Sequence, residues 1–385
     1  MKYFILLIAF LSSTACSAKL ALKSSDFVDT VKIEVQNGKI ILPVSINNNT
    51  YHFFLDTGAR GFIYRKGRVP LAVSQFGKYK EKDINGQVGE LQKSTPTDIV
   101  IDKIKIADYE FAYMNGTGFD CFSDGIIGFD LIKAGVNVKI DLEKKWIILT
   151  DRKDFFMHEP GEKIDYKLVN GRPYISYAIG HGIALKATFD TGSAGFLGLE
   201  RKQYEKILNS DNRDWLAQQV VWSDTGRSTY SVNGLSPERE TIFLKLDSVN
   251  FDNLSFSDVN AVVRTGFSVI GTGILKYGSV IIDPFRKELC YEPYQKSKII
   301  KVCEPCSNAI FAFTQNKAVV ELLDKKSALY LAGLRKGDVI LEINKIKITD
   351  ICTLDRMKGQ ILKGVPLNLK CRDSSGNIKT IDLIL

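Results

Sequence analysis

The chain is poor in the residues that most metal and nucleophile chemistry needs. It has three histidines, three tryptophans and seven cysteines among 385 residues. No Ser-His-Asp set stands out and no Gly-rich phosphate loop occurs, which sets aside serine-nucleophile and P-loop chemistry. The "CEPC" stretch, 303 to 306, supplies at most half a zinc site, because neither a second Cys-x-x-Cys nor a nearby histidine pair accompanies it. "GTGILKYG", 271 to 278, lacks the third glycine of a dinucleotide-binding turn. Net charge is +8, but Lys and Arg are scattered with no aromatic platform between them, so nucleic acid is not an expected partner. Neither a metal nor a cofactor is expected.

Long apolar runs are also missing. The run from Tyr3 to Leu11 after Lys2 falls short of the roughly 20 residues a membrane-spanning helix needs, and small residues follow it. Residues 1–16 therefore read as a secretory signal. The small residues before Cys16 make it resemble a bacterial lipoprotein signal, which implies a lipidated Cys16, a tether over 17–32 and membrane contact only through that lipid. Ordinary cleavage near Ala15 or Ala18 is the alternative. The expected location is the periplasm or cell envelope. The remaining cysteines suit disulfides in such a compartment, with connectivity open.

What the chain does have is a duplication. "NGKIILPVSINNNTYHFFLDTGARGF" (37 to 62) parallels "NGRPYISYAIGHGIALKATFDTGSAGF" (170 to 196), and "GIIGFDLIKAGVNVKIDLEKKWIIL" (125 to 149) parallels "SVIGTGILKYGSVIIDPFRKELCY" (268 to 291). The two units span 33–150 and 164–295. Alternating β-branched and aromatic runs bounded by Asn-Gly turns predict strands in both, with a helix over 199 to 210. Two or three domains suit the chain length.

Asp-Thr-Gly is weak evidence singly, since its residues are ordinary turn formers. A third copy, Asp224-Thr225-Gly226, lacks an apolar approach and is expected to be a hairpin turn near the cleft. The copies at Asp56 and Asp190 differ: an apolar strand delivers each carboxylate inward, at a cost unless the group finds a partner. Two carboxyls close together share one proton, hold a water as nucleophile and protonate a carbonyl. Thr can tie the two loops by hydroxyl hydrogen bonds, and Gly admits close backbone approach.

Asp56-Thr57-Gly58-Ala59 and Asp190-Thr191-Gly192-Ser193, each followed by an apolar-apolar-Gly stretch ending at Gly128 or Gly271, resemble the two lobes of a pepsin-like or retropepsin-like aspartic protease. The resemblance implies a mainly β, two-lobed pseudo-dimer with Asp56 and Asp190 as catalytic pair, Thr57 and Thr191 cross-linking the loops, and the Gly128 and Gly271 strands supporting them. A homodimer of paired lobes is the alternative assembly to a monomer. Ser193, without a counterpart at Ala59, is expected to donate to Asp190, leaving the charge there and the proton on Asp56. No flap residue is assignable.

After a linker over 296–309 the pattern changes. Ser327 reads as a helix N-cap with Gly333 closing that helix, a second helix places Leu354, Met357 and Ile361 on one face, and a hairpin ends the chain. Ala332-Gly333-Leu334 and Gly337-Asp338 resemble a PDZ domain, α+β in class, over 310–385. That resemblance implies a peptide C-terminus bound at a carboxylate loop formed by Ile310, Phe311, Ala312 and Phe313, with Leu354 on the helix side. The function expected is an aspartic-type endopeptidase acting on polypeptide, with a domain that recruits peptide. The alternative is a non-enzymatic exported peptide-binding scaffold.

Overall fold

A computed structural model describes residues 20–64, 68–114, 121–231, 233–304, 306–361 and 366–384. Cys16 and the expected signal segment over 1–16 lie outside the described residues. The chain is mainly β, with 53% strand against 11% helix, as its alternating apolar runs require. In Leu254–Arg264, for example, the inward positions Leu254, Phe256, Val259, Ala261 and Val263 are buried.

An eleven-stranded sheet is built from the first repeat. At its centre the Asn49–Asp56 strand lies parallel to Gly125–Gly128, with Gly128 opposite Asp56, and Gly125–Gly128 also pairs with Phe62–Tyr64. The second repeat repeats this pattern: Ile183–Phe189 runs parallel to Val269–Ile270, which pairs with Leu197–Glu200. The second sheet has fourteen strands because Asn137–Asp141 and Trp146–Thr150 of the first repeat join it, Lys139 pairing with Ile281, together with Val28–Lys32, which pairs with Trp146–Thr150 and so is a strand where a tether was expected. Backbone bonds and one hydrophobic core extending from Val31 to Val302 therefore hold the repeats together. The expected helix forms as Arg201–Leu208.

A separate six-stranded sheet contains Ala309–Thr314 at one edge and Ile378–Ile384 at the other, over its own core. Ser327 accepts a hydrogen bond from the Tyr330 amide as an N-cap, and Gly333 has φ +99°, the left-handed value that favours glycine. Residues 310–313 are not a loop but the middle of the Ala309–Thr314 edge strand, where apolar alternation outweighs turn formation. Leu354 is fully buried in the core of this unit with Met357 and Ile361, so it faces no groove.

The third Asp-Thr-Gly is likewise not a turn. It ends the Val220–Gly226 strand, and its aspartate docks the last unit: Leu323 N–H donates to Asp224 Oδ2 at 3.1 Å, while Trp222, stacked on Phe243, packs against Leu322. On the opposite side, Cys121 and Cys352 form a disulfide between the first repeat and the Ile351–Ile361 helix. Asn37 Nδ2 donates to Asp355 Oδ2 of that helix at 2.6 Å. The last unit thus touches both repeats. Asp224→Ala should cost about 1–3 kcal/mol, because the buried Leu323 amide loses its acceptor. Urea unfolding measures it, and an unchanged midpoint would show that this seam carries no stability.

Candidate active site

The two Asp-Thr-Gly loops that follow the Asn49–Asp56 and Ile183–Phe189 strands are tied to one another by four hydrogen bonds. Thr57 N–H donates to Thr191 Oγ1 and Thr191 N–H to Thr57 Oγ1, each at 3.0 Å. The hydroxyls in turn donate across the interface, Thr57 to Phe189 O at 2.7 Å and Thr191 to Leu55 O at 2.8 Å. Both threonines are wholly buried. Only hydroxyl residues supply this reciprocal set, each group acting as donor and acceptor at once.

That cross-tie brings the aspartates together. Gly58 N–H donates to Asp56 Oδ1 at 2.9 Å and Gly192 N–H to Asp190 Oδ1 at 2.8 Å. The two carboxyls are neighbours, close enough for each to act on the other's proton. Each also lies against the other loop's glycine: a Cβ at Gly58 would overlap the Asp190 carboxyl, and one at Gly192 the Asp56 carboxyl. Burial first, and then the neighbouring Asp190, hold the Asp56 carboxyl well above the usual carboxylate range, with Lys39 opposing in part.

Gly128 and Gly271 sit where the parallel strands pass the loops. A side chain at Gly128 would meet the Arg60 backbone, and one at Gly271 the Ser193 carbonyl. Phe129 N–H donates to Ala59 O at 2.9 Å, and Thr272 N–H to Ser193 O at 2.8 Å. Ala59 and Ser193 are thereby fixed through their carbonyls. The Ser193 hydroxyl does not serve Asp190: it accepts from Arg264 Nη2 at 3.4 Å, because a guanidinium in this wall needs an acceptor.

Several residues at the site were not anticipated. Lys39 Nζ donates to Gly192 O, and Arg172 Nε donates to Gly58 O at 2.6 Å. Each cation belongs to one repeat and holds the glycine carbonyl of the other. The signal was present in the duplicated Asn-Gly-Lys and Asn-Gly-Arg that open the units. Arg172 and Arg60 also grip Glu81, at 2.5 and 3.2 Å.

Glu81 belongs to a hairpin of Val73–Lys82 and Val88–Ser94. Its residues Glu81, Asp83 and Ile84 line one cavity of about 580 Å³ with Asp56 and Asp190. The tip is fastened to the second repeat: Asn85 Nδ2 donates to Thr229 O at 3.3 Å and Asn233 Nδ2 to Gln87 O at 3.0 Å, while the Ser231 hydroxyl bonds the Asp83 carboxylate. Alternation alone did not distinguish this hairpin from its neighbours.

Ser307 and Ile310 of the C-terminal segment line the same cavity. A smaller cavity of about 160 Å³ lies between the Ala309–Thr314 strand and the Ile351–Ile361 helix, where Lys358 and Ile361, rather than Leu354, face it. Phe313 N–H donates to the Tyr230 hydroxyl at 2.9 Å, and that hydroxyl donates to Phe313 O. One backbone position of the edge strand is therefore already engaged by the second repeat.

Among the described residues no group of His, Cys, Asp and Glu is arranged to hold a metal, and no helix is long and apolar enough to cross a membrane. Cys303 and Cys306 are not bonded to each other. Compared with known proteins, the chain matches no protein-family model and no curated protein.

Proposed function

We propose that the chain is an aspartic-type endopeptidase of the pepsin or retropepsin kind, a single-chain pseudo-dimer, with Asp56 and Asp190 as the catalytic dyad. The observation that carries this is the pair of neighbouring carboxyls, delivered by two duplicated loops to the wall of one cavity. With one proton between them, the pair holds a water; one carboxylate takes the water's proton as the oxygen attacks the peptide carbonyl, and the protonated partner gives its proton to the carbonyl oxygen. Collapse of the tetrahedral species returns a proton to the amine as the C–N bond breaks. The Val73–Ser94 hairpin serves as the cover over bound peptide, and Lys39 and Arg172 position the two loops.

The C-terminal unit is read as a PDZ-like domain that recruits peptide, and the Cys121–Cys352 disulfide suits an exported, envelope-anchored protein. The test is cleavage of peptides over a pH series by the full-length protein, with pepstatin-type inhibition and Asp56→Asn and Asp190→Asn controls. Cleavage that survives in either variant rules the reading out.

The raised Asp56 carboxyl makes a second prediction. A group whose folded pKa lies above its unfolded value of about 3.9 stabilises the fold most at acid pH. Its contribution is lost as pH rises through the folded value. A carboxamide in its place cannot ionise, so Asp56→Asn should gain stability relative to wild type as pH rises from about 4 towards the raised folded value, and activity should fall on the alkaline side as the shared proton leaves. Melting temperatures across that range measure it; a gap that shrinks with rising pH would contradict the shared proton.

A further inference from the structure

The duplication allows the two side walls of the cavity to be compared position by position. In the first repeat Ile126 lies beside Phe54 and opposite Phe62, and two residues beyond Phe62 the parallel register pairs Tyr64 with Met114. In the second repeat Val269 lies beside Thr188 and opposite Gly198, and two residues on, Glu200 pairs with Arg264. By strand register Phe54, Phe62 and Met114 thus occupy the places of Thr188, Gly198 and Arg264, the second loop being offset by two residues from the sequence parallel that matches Phe62 with Phe196. The first wall is apolar. The second replaces an aromatic ring with glycine and a thioether with a guanidinium.

The glycine and the guanidinium go together. A Cβ at Gly198 would overlap Nη2 and Nε of Arg264, so the guanidinium lies over the strand where the first repeat has Phe62. Its hydrogen bonding is incomplete. Nε is sealed from solvent without an acceptor, Thr188 Oγ1 on the other side of the Val269–Ile270 strand is also unpartnered, and among the described residues Arg264 has only the long hydrogen bond to Ser193. It makes no ion pair among those residues either, whereas Arg172 in the same cavity is paired with Glu81. The Asp190 charge reaches it through space, but burial outweighs that attraction. A partly buried cation whose Nε is sealed from water and which has no paired counter-ion is costly, and guanidinium geometry fits a carboxylate in two-point contact.

We infer that Arg264 is a specificity residue for a substrate carboxylate: the cavity takes a peptide with an acidic side chain on the wall of the second repeat and a large apolar side chain on the wall of the first. This rests on the proteolytic reading and adds the substrate class to it. A site built to hydrogen-bond a charged group disfavours the neutral analogue, which leaves its buried donors unpaired.

The experiment uses full-length protein and fluorogenic peptides blocked at both ends, with Phe-Glu, Phe-Gln or Phe-Leu at the centre and the same pairs in reversed order. In the preferred order Glu should exceed Gln in kcat/KM by about ten- to a hundred-fold. Arg264→Met should bring the ratio to within about threefold, and Arg264→Lys should keep part of it. Equal rates for Glu and Gln in wild type overturn the inference, as does an Arg264 dependence confined to peptides with a free C-terminal carboxylate, which would make the ligand a chain end. Binding separates this from the catalytic reading. In an Asp56→Asn background, fluorescence anisotropy should show tighter binding of the Glu peptide than of the Gln peptide, and Arg264→Met should abolish the difference. If no peptide is cleaved but that difference holds, the dyad assignment falls and carboxylate recognition stands. If peptides are cleaved without it, the reverse follows.

Discussion

Asp190→Asn is expected to lower kcat by at least about a thousandfold while the protein stays folded. The amide oxygen can still accept from Gly192 N–H, which donates to the carboxylate at 2.8 Å, so the loop keeps its local bond. In the proposed reaction the amide cannot carry the negative charge that takes the water's proton, nor share one proton with the neighbouring Asp56 carboxyl. Asp56→Asn should fall by a similar factor for the complementary reason, that it has no acidic proton to give. The double variant should be little worse than either, because the carboxyls act as one unit and single losses already remove it. Steady-state cleavage, with circular dichroism to check folding, decides this. Activity within about tenfold of wild type in either variant would sink the dyad.

Thr57→Val is expected to cost about 2–5 kcal/mol of stability, a large share of the roughly 5–15 kcal/mol that holds a domain folded. Valine matches the shape but leaves the Phe189 carbonyl without its donor and the Thr191 amide without its acceptor, both in a site closed to water. The reciprocal pair from Thr191 remains, so Thr191→Val in the same chain should add less than its own single cost. Thr57→Ser retains the hydroxyl and should lose only about 1 kcal/mol, mostly packing. Denaturant unfolding gives these values, and activity should fall with them, since the cross-tie sets the distance between the carboxyls. A loss below about 1 kcal/mol for Thr57→Val would mean the loops are held by their strands alone.

Much of this could be read from the chain. The duplication, the two apolar approaches to Asp-Thr-Gly, the apolar-apolar-Gly partners and the Ser327 and Ile351 helices are written in short spans, because strand alternation, helix caps and turn residues act over a few positions. Even the cations that clamp the loops are visible in hindsight as Lys39 and Arg172 after matching Asn-Gly pairs. Local pattern also misled. Asp224-Thr225-Gly226 has the composition of a turn, yet it continues a strand because the paired Arg239–Phe251 strand and the last unit complete its hydrogen bonds. Residues 310–313, a loop only by the PDZ resemblance, pair as a strand with Lys317–Leu323.

By itself, then, the sequence determined that two similar β-rich units each offer one inward carboxylate on a threonine-glycine loop. Only the tertiary structure decided which distant groups surround that pair: the hairpin fastened at Asn85, the disulfide from Cys121 to Cys352, and Arg264 facing the place that Phe62 and Met114 fill in the other unit. Alternation states which side of a strand a residue faces, but what it meets there depends on register and on strands far along the chain, and a partnership of that kind leaves no mark in a local window.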